Sequence, residues 1–169
     1  HGHTAVMTRD DHPNGTSRIA EVAASLPRGF DLVVNVQGDE PEVDPTMLDR
    51  LVDRLAKGNE PMATIVTPFG DAEDVADPNV VKAVLSQTGR CLYFSRLPIP
   101  HQRDRRAAAQ RSEAPDRCPP HYHHLGVYAY RRDFLSVYVN LPATPAEQAE
   151  QLEQLRVLEH GHAIAAIIT

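Results

Sequence analysis

Val33-Val34-Asn35-Val36 runs straight into Gln37-Gly38-Asp39-Glu40-Pro41, so a strand of largely β-branched residues stops in a tight turn that carries two carboxylates. Such a junction points to an α/β plan, because ligands of open α/β sheets collect in the crevice beyond the carboxyl ends of the strands. A carboxylate fixed at that place can meet a divalent cation and a phosphate together.

The flanking sequence alternates between the two periods. Residues 4–7 read as the tail of a strand, and a turn-rich loop follows. Thr16 or Ser17 then caps a helix whose stripe is Ile19, Val22, Ala23 and Leu26. Asn14 and Gly15 at that helix start offer an amide and backbone N–H groups to a ligand, and Arg18 adds a cation. After the strand at 31–36, Asp44-Pro45 opens a second helix with Met47, Leu48, Leu51, Val52 and Leu55 on one face. A strand at 62–67 completes a parallel βαβ crossover. Residues 80–96 read instead as a hairpin turning at Gln87-Thr88-Gly89-Arg90, which makes the sheet mixed.

From 97 to 123 neither period holds, and this stretch is expected to be an irregular loop with one helical turn at 105–111. His124-Leu125-Gly126-Val127-Tyr128-Ala129-Tyr130 alternates, placing His124, Gly126, Tyr128 and Tyr130 on one face. Glycine in mid-strand signals a close approach to the backbone, and His124 with Tyr128 beside it makes a hydrogen-bonding slot suited to a polyhydroxylated ligand. A short helix is expected at 132–139. Thr144-Pro145-Ala146-Glu147 then opens a longer one bearing Leu152, Leu155 and Leu158, with Glu153 and Gln154 off that stripe. A carboxylate and an amide there suit sugar hydroxyls, and an apolar strand closes the chain at 163–168.

At 169 residues this is one domain with a real core. The formal net charge of -6 argues against a general nucleic-acid binder, while leaving room for a small anionic ligand in a local basic pocket. No run approaches the roughly 18 apolar residues of a membrane span. Cys91 and Cys118 lie far apart without C-x-x-C spacing, so neither a disulfide framework nor a thiolate metal site is indicated, and the cytoplasm is the expected compartment. The nine histidines include none at a recognisable ligand spacing with a carboxylate or cysteine. The chain opens at His1 in a strand-like segment and stops in another, as a piece of something longer would.

The motifs together resemble one family, the 3-deoxy-manno-octulosonate (Kdo) cytidylyltransferases. The pieces are residues 7–12 with Asn14-Gly15-Thr16 and Arg18, NVQGDEP at 35–41, Asp77-Pro78-Asn79 through Lys82, Tyr93-Phe94-Ser95-Arg96 with Pro98-Ile99-Pro100, His124-Leu125-Gly126-Val127-Tyr128, and Leu152-Glu153-Gln154-Leu155-Arg156, all in family order. The resemblance implies a nucleotidyltransferase fold, a mostly parallel mixed sheet flanked by helices, with an inserted hairpin and dimerisation region. It implies transfer of the cytidylyl group of CTP to Kdo for lipopolysaccharide synthesis, with Mg2+ as cofactor and a homodimer as assembly. By the same resemblance Asp39 holds the magnesium, and Asn14, Gly15 and Arg18 lie near the cytidine. Gln37, Arg96, His124, Tyr128, Glu153 and Gln154 surround the sugar, with Arg96 a partner for its carboxylate. The family's triphosphate loop and its second magnesium ligand fall outside residues 1–169, so this stretch is not expected to be active alone. Ser17 also stands where the family has glutamate. Two other readings remain: a cytidylyltransferase for another acidic sugar of the sialic acid type, and a non-catalytic sugar-binding or dimerisation module.

Overall fold

The computed structural model describes residues 4–38, 43–69, 74–101, 103 and 121–169. Asp39, Cys118 and the expected helical turn at 105–111 lie outside the described residues. The described elements run α1 (Gly15–Ser25), β1 (Leu32–Asn35), α2 (Pro45–Lys57), β2 (Met62–Pro68), a 3-10 turn (Asp74–Ala76), β3 (Lys82–Leu85), β4 (Cys91–Ser95), β5 (Tyr122–Arg131), α3 (Arg132–Tyr138), α4 (Pro145–Glu150), α5 (Gln154–Glu159) and β6 (Ile164–Ile168). Residues 4–9 carry no regular element, so the expected opening strand is absent there.

The sheet is mixed and flanked by helices, in the order β4-β3-β5-β2-β6 with β1 paired to β5. The expectation of a mostly parallel sheet is corrected. Among the described residues only β2 and β6 pair in parallel; β5 runs between β1 and β2 and is antiparallel to both. The crossover from β1 through α2 to β2 therefore spans an intervening strand. Hydrophobic pattern identifies strands buried on both faces, but it carries no information about which strand lies between two others.

Side chains alternate between two cores, as the period of a pleated strand requires. Ala63, Ile65, Val127, Ala129, Ala165 and Ile167 pack with Leu51 and Leu55 of α2. On the other face Met62, Val66, Tyr128, Tyr130 and Ile164 meet α1, α3 and α5 through Ala23, Phe134, Leu135, Tyr138 and Leu155.

One polar knot fastens α2 to the hairpin. Glu60, 5% exposed, accepts from Arg54 at 3.1 and 3.3 Å and from Arg90 at 2.8 Å. Arg131 completes the end of α2 by donating to the carbonyls of Leu55, Gly58 and Glu60. Hydrogen bonds from Arg54, outweighing the opposing effect of burial, hold the Glu60 carboxyl down at about 2. Its folded value lies below its unfolded one, so its stabilisation is present above about pH 4.5 and fades as pH falls towards 2. Glu60→Gln should cost about 1–2 kcal/mol at pH 7, with both arginines still partly solvated, and much less near pH 2. Urea unfolding of both proteins across that range checks this.

Candidate active site

A cavity of about 960 Å³ opens where β1 and β3 leave β5 uncovered. Beside β5, β1 pairs with residues 128–131 and β3 with 122–123, and His124 N donates to the carbonyl of Val81 at 2.9 Å, so residues 125–127 have no strand partner on that side. The volume is near the top of the roughly 300–1,000 Å³ usual for ligand sites. Four stretches distant in sequence converge on it: the start of α1, Asn35 to Gly38 at and beyond the end of β1, His124 to Gly126 with Tyr128 in β5, and Gln151 to Gln154 before and at the start of α5.

The β5 wall depends on a bulge. Val66 faces His124 and Thr64 faces Tyr128, so Leu125, Gly126 and Val127 lie opposite the single residue Ile65. Two extra residues preserve the parity of the strand. His124 and Tyr128 accordingly share a face, with ring centroids 5.3 Å apart, as the alternation predicts. Gly126 is there for a different reason from the expected one. Its φ is +68°, which favours glycine, and a Cβ added to it would meet no atom within 4 Å. Conformation, not crowding, selects the glycine, and its carbonyl accepts from Gln37 Nε2 at 3.4 Å.

His124 is buried and neutral. Burial, reinforced by neighbouring His123, pushes its imidazole down to about 3. Thr64 donates its hydroxyl proton to the carbonyl of Val127 at 2.8 Å, so it accepts from His124 Nε2–H at 2.9 Å, which leaves Nδ1 as the ring acceptor. An unfolded His124 takes up a proton below about pH 6.5 and the folded one does not. Acid thus weakens the fold progressively from pH 6.5 down to about 3, by up to about 1.4 kcal/mol per pH unit. Urea unfolding at pH 7, 6 and 5 should show a shallower decline in His124→Asn than in the native protein.

At α1 the helix cap is Asn14, whose side chain accepts from Ser17 N at 2.9 Å, and not the expected Thr16 or Ser17. Asn14 is thereby engaged in the cap and does not line the cavity, whereas Gly15 and Arg18 do. Arg18 donates to Thr8 Oγ1 at 2.6 Å and to the carbonyl of Arg9 at 2.9 Å. Thr16 is turned inward, 4% exposed, and donates to Glu153 at 3.0 Å. Competition from a carboxylate 137 residues away is invisible to local cap statistics.

The expected single helix after Thr144 is two, α4 and α5, broken at Gln151, whose φ of 54° is left-handed. The break swings Glu153 and Gln154 to the cavity; Gln154 is 4% exposed, and its Nε2 has no hydrogen-bond partner among the described residues. Ser95 and Arg96 hold the break in place. Glu150 accepts from Ser95 Oγ at 2.6 Å and from Arg96 N at 2.9 Å. The Arg96 guanidinium donates to the carbonyls of Glu150, Pro78 and Gln151 at 2.8, 2.9 and 3.4 Å. Three of its five N–H groups are thus engaged in structure while Arg96 also lines the cavity. Lys82, fully buried, donates to the carbonyls of Asp77, Val80 and Arg96, tying the same corner to β3. The motif residues carry no local hint of this scaffold role; Thr16 and Tyr138 line the cavity without being signalled by the sequence, Tyr130 lines it on the face the alternation predicts, and Lys82 supports it from outside the lining.

Arg18 and Arg96 against Glu153 leave the described lining with a cationic excess, opposite in sign to the chain as a whole, which suits an anionic ligand. Among the described residues no group of three His, Cys, Asp or Glu is placed to hold a metal ion. The one carboxylate lining the cavity among the described residues, Glu153, already accepts from two hydroxyls. The described residues do not by themselves build a metal site. Among them, too, no helix is long and apolar enough to cross a membrane.

Residues 1–164 match the family model described as cytidylyltransferase. A 3-deoxy-manno-octulosonate cytidylyltransferase of Acaryochloris marina (strain MBIC 11017) is 49% identical over 164 residues, which are 96% of this chain and 62% of that protein. The solved structure of a CMP:2-keto-3-deoxy-manno-octonic acid synthetase complexed with CTP is 37% identical, with a TM-score of 0.85 over 99% of this chain and 64% of its own. A Bacillus anthracis structure described as a glucose-1-phosphate thymidylyltransferase, in complex with a sucrose, is 12% identical with a TM-score of 0.51 over 95% of this chain and 55% of its own, a likeness of fold alone. The chain thus spans somewhat less than two thirds of the relatives it matches.

Proposed function

This chain belongs to the cytidylyltransferase family, and on that premise we propose that it is the part of a nucleotidyltransferase that brings CTP and Kdo together to give CMP-Kdo and pyrophosphate. The anomeric hydroxyl of the sugar attacks the α-phosphorus of CTP; the new P–O bond forms as the bond to pyrophosphate breaks, with no covalent enzyme intermediate. Reactions of this kind depend on placing the reactants and neutralising phosphate charge.

The observation that carries the reading is the convergence of Asn35 to Gly38, Arg96, His124 to Gly126 with Tyr128, and Leu152 to Gln154 on one cavity. Gly15 and Arg18 at the start of α1 form the nucleotide end, with Asn14 supporting it as the cap. Gln37, Arg96, His124, Tyr128, Glu153 and Gln154 form the sugar end, where neutral His124 presents an acceptor, Glu153 an acceptor and Gln154 a donor to hydroxyls. Magnesium belongs to this reading as the cofactor, and it supplies charge neutralisation at the phosphates when bound. Asp39, the residue that follows Gly38 of the lining, is its proposed ligand. A homodimer, a cytoplasmic location and a place in lipopolysaccharide synthesis complete the proposal.

The test is pyrophosphate release by the protein's full chain with CTP, magnesium and either Kdo or a sialic acid. Release with Kdo alone supports the reading. Release with the sialic acid in preference to Kdo, or with neither sugar, overturns it.

A further inference from the structure

We propose that Thr16 is a positioning residue that fixes the Glu153 carboxylate at the sugar end of the cavity, an inference that rests on the reading of that end as the acidic-sugar site. Thr16 Oγ1 donates to Glu153 Oε2 at 3.0 Å, and Tyr138 donates to the same oxygen at 3.3 Å. The single hydroxyl proton of Thr16 is committed to Glu153, so the Tyr130 hydroxyl, 3.5 Å away, donates to Thr16 in turn. Thr16, Tyr130 and Tyr138 are 4%, 1% and 2% exposed, so water does not compete for these contacts. The Tyr138 ring is itself held beneath Arg156, whose guanidinium carbon is 5.2 Å from the ring centroid. Arg156 makes a two-pronged pair with Glu147 at 2.8 and 2.6 Å.

The result is a carboxylate with one oxygen held by two donors and the other, Oε1, without a partner among the described residues. That second oxygen is the one left to accept from a ligand hydroxyl. Glu153 is the cap residue of α5, just beyond the left-handed break at Gln151, and its side chain makes no cap hydrogen bond, so its rotamer is set by these hydroxyls. Thr16 carries the larger share, since its contact is the shorter of the two.

Thr16→Val keeps the shape and removes the donor, Thr16→Ser keeps the donor, and Tyr138→Phe removes the second donor alone. In the full chain, Thr16→Val should raise the KM for Kdo about tenfold, the loss of one hydrogen bond to a charged acceptor. The KM for CTP should stay within about twofold, and Thr16→Ser should restore the sugar KM. Tyr138→Phe should raise it by a smaller factor. Crystals of Thr16→Val should show the Glu153 carboxylate swung away from its native position. An unchanged sugar KM, an equal rise in both KM values, or a failure of serine to rescue overturns the inference. Should the native protein not use Kdo at all, the proposed function falls; displaced Glu153 in Thr16→Val crystals would still support the positioning role, and an unmoved carboxylate would overturn it.

Discussion

Lys82→Met should destabilise the protein by about 3–5 kcal/mol, enough to abolish folding of a marginal domain at physiological temperature. The lysine is fully buried, and its ammonium is the shared partner of three main-chain carbonyls, those of Asp77, Val80 and Arg96. Methionine fills the volume but donates nothing, so three acceptors are stranded at once. Burial draws the lysine below its ordinary range, outweighing the opposing charges of Asp77 and Glu150, the expected direction for a cation whose direct partners are neutral carbonyls. The damage should not stay local. Arg96 keeps its main-chain contact to Glu150 but loses the one to Lys82, and Arg96 is what grips Pro78, Glu150 and Gln151. Urea unfolding gives the loss; an m-value unchanged from the native protein would place it in the folded state. A loss under about 1 kcal/mol would mean that the carbonyls find water, and that Lys82 is not the keystone of this corner.

The parts of the fold legible in the sequence are those where one physical demand acts alone. β2 and β6 read as strands because each offers an apolar run, and β5 because His124 to Tyr130 alternates. α2 reads as a helix because Asp44, Pro45 and the Leu51–Leu55 stripe agree. His124 and Tyr128 could be placed on one face because the bulge at Gly126 adds an even number of residues. Legibility fails where distant groups compete. Asn14, Thr16 and Ser17 are all good caps, but Glu153 takes the Thr16 hydroxyl and Ser17 donates its own to the Asn14 carbonyl, which leaves Asn14 as the cap. The break at Gln151 has no glycine or proline to announce it, and the leucine stripe of Leu152, Leu155 and Leu158 begins only after it. It is held from outside, by Ser95 and Arg96 on β4 and just beyond it. The same break delivers Glu153 and Gln154 to the cavity, so the two misread features, cap and helix, meet at one end of the site.

Gln154→Leu should move stability and ligand affinity in opposite directions. The amide is 4% exposed and its Nε2 has no partner among the described residues, a state that costs about 1–3 kcal/mol for a buried donor. Leucine has nearly the same size and no polar atom, so the variant should unfold at higher urea concentration, with a gain of about 1 kcal/mol. If the amide is held in reserve for a hydroxyl of the sugar, the same change should weaken Kdo binding about tenfold to a hundredfold, because a polar group of the ligand is then buried without a partner. Gln154→Ala separates this from simple packing: it opens a void beside Leu155, so it should lose both stability and affinity. Titration calorimetry with Kdo and urea unfolding on the three proteins decide the matter. A leucine variant that is less stable and binds Kdo as well as the native protein would show that the amide serves the fold, and would remove Gln154 from the sugar end. A more stable variant with lost affinity is the signature of a group kept unsatisfied in the empty protein because the ligand completes it, the usual trade between a relaxed core and a working site.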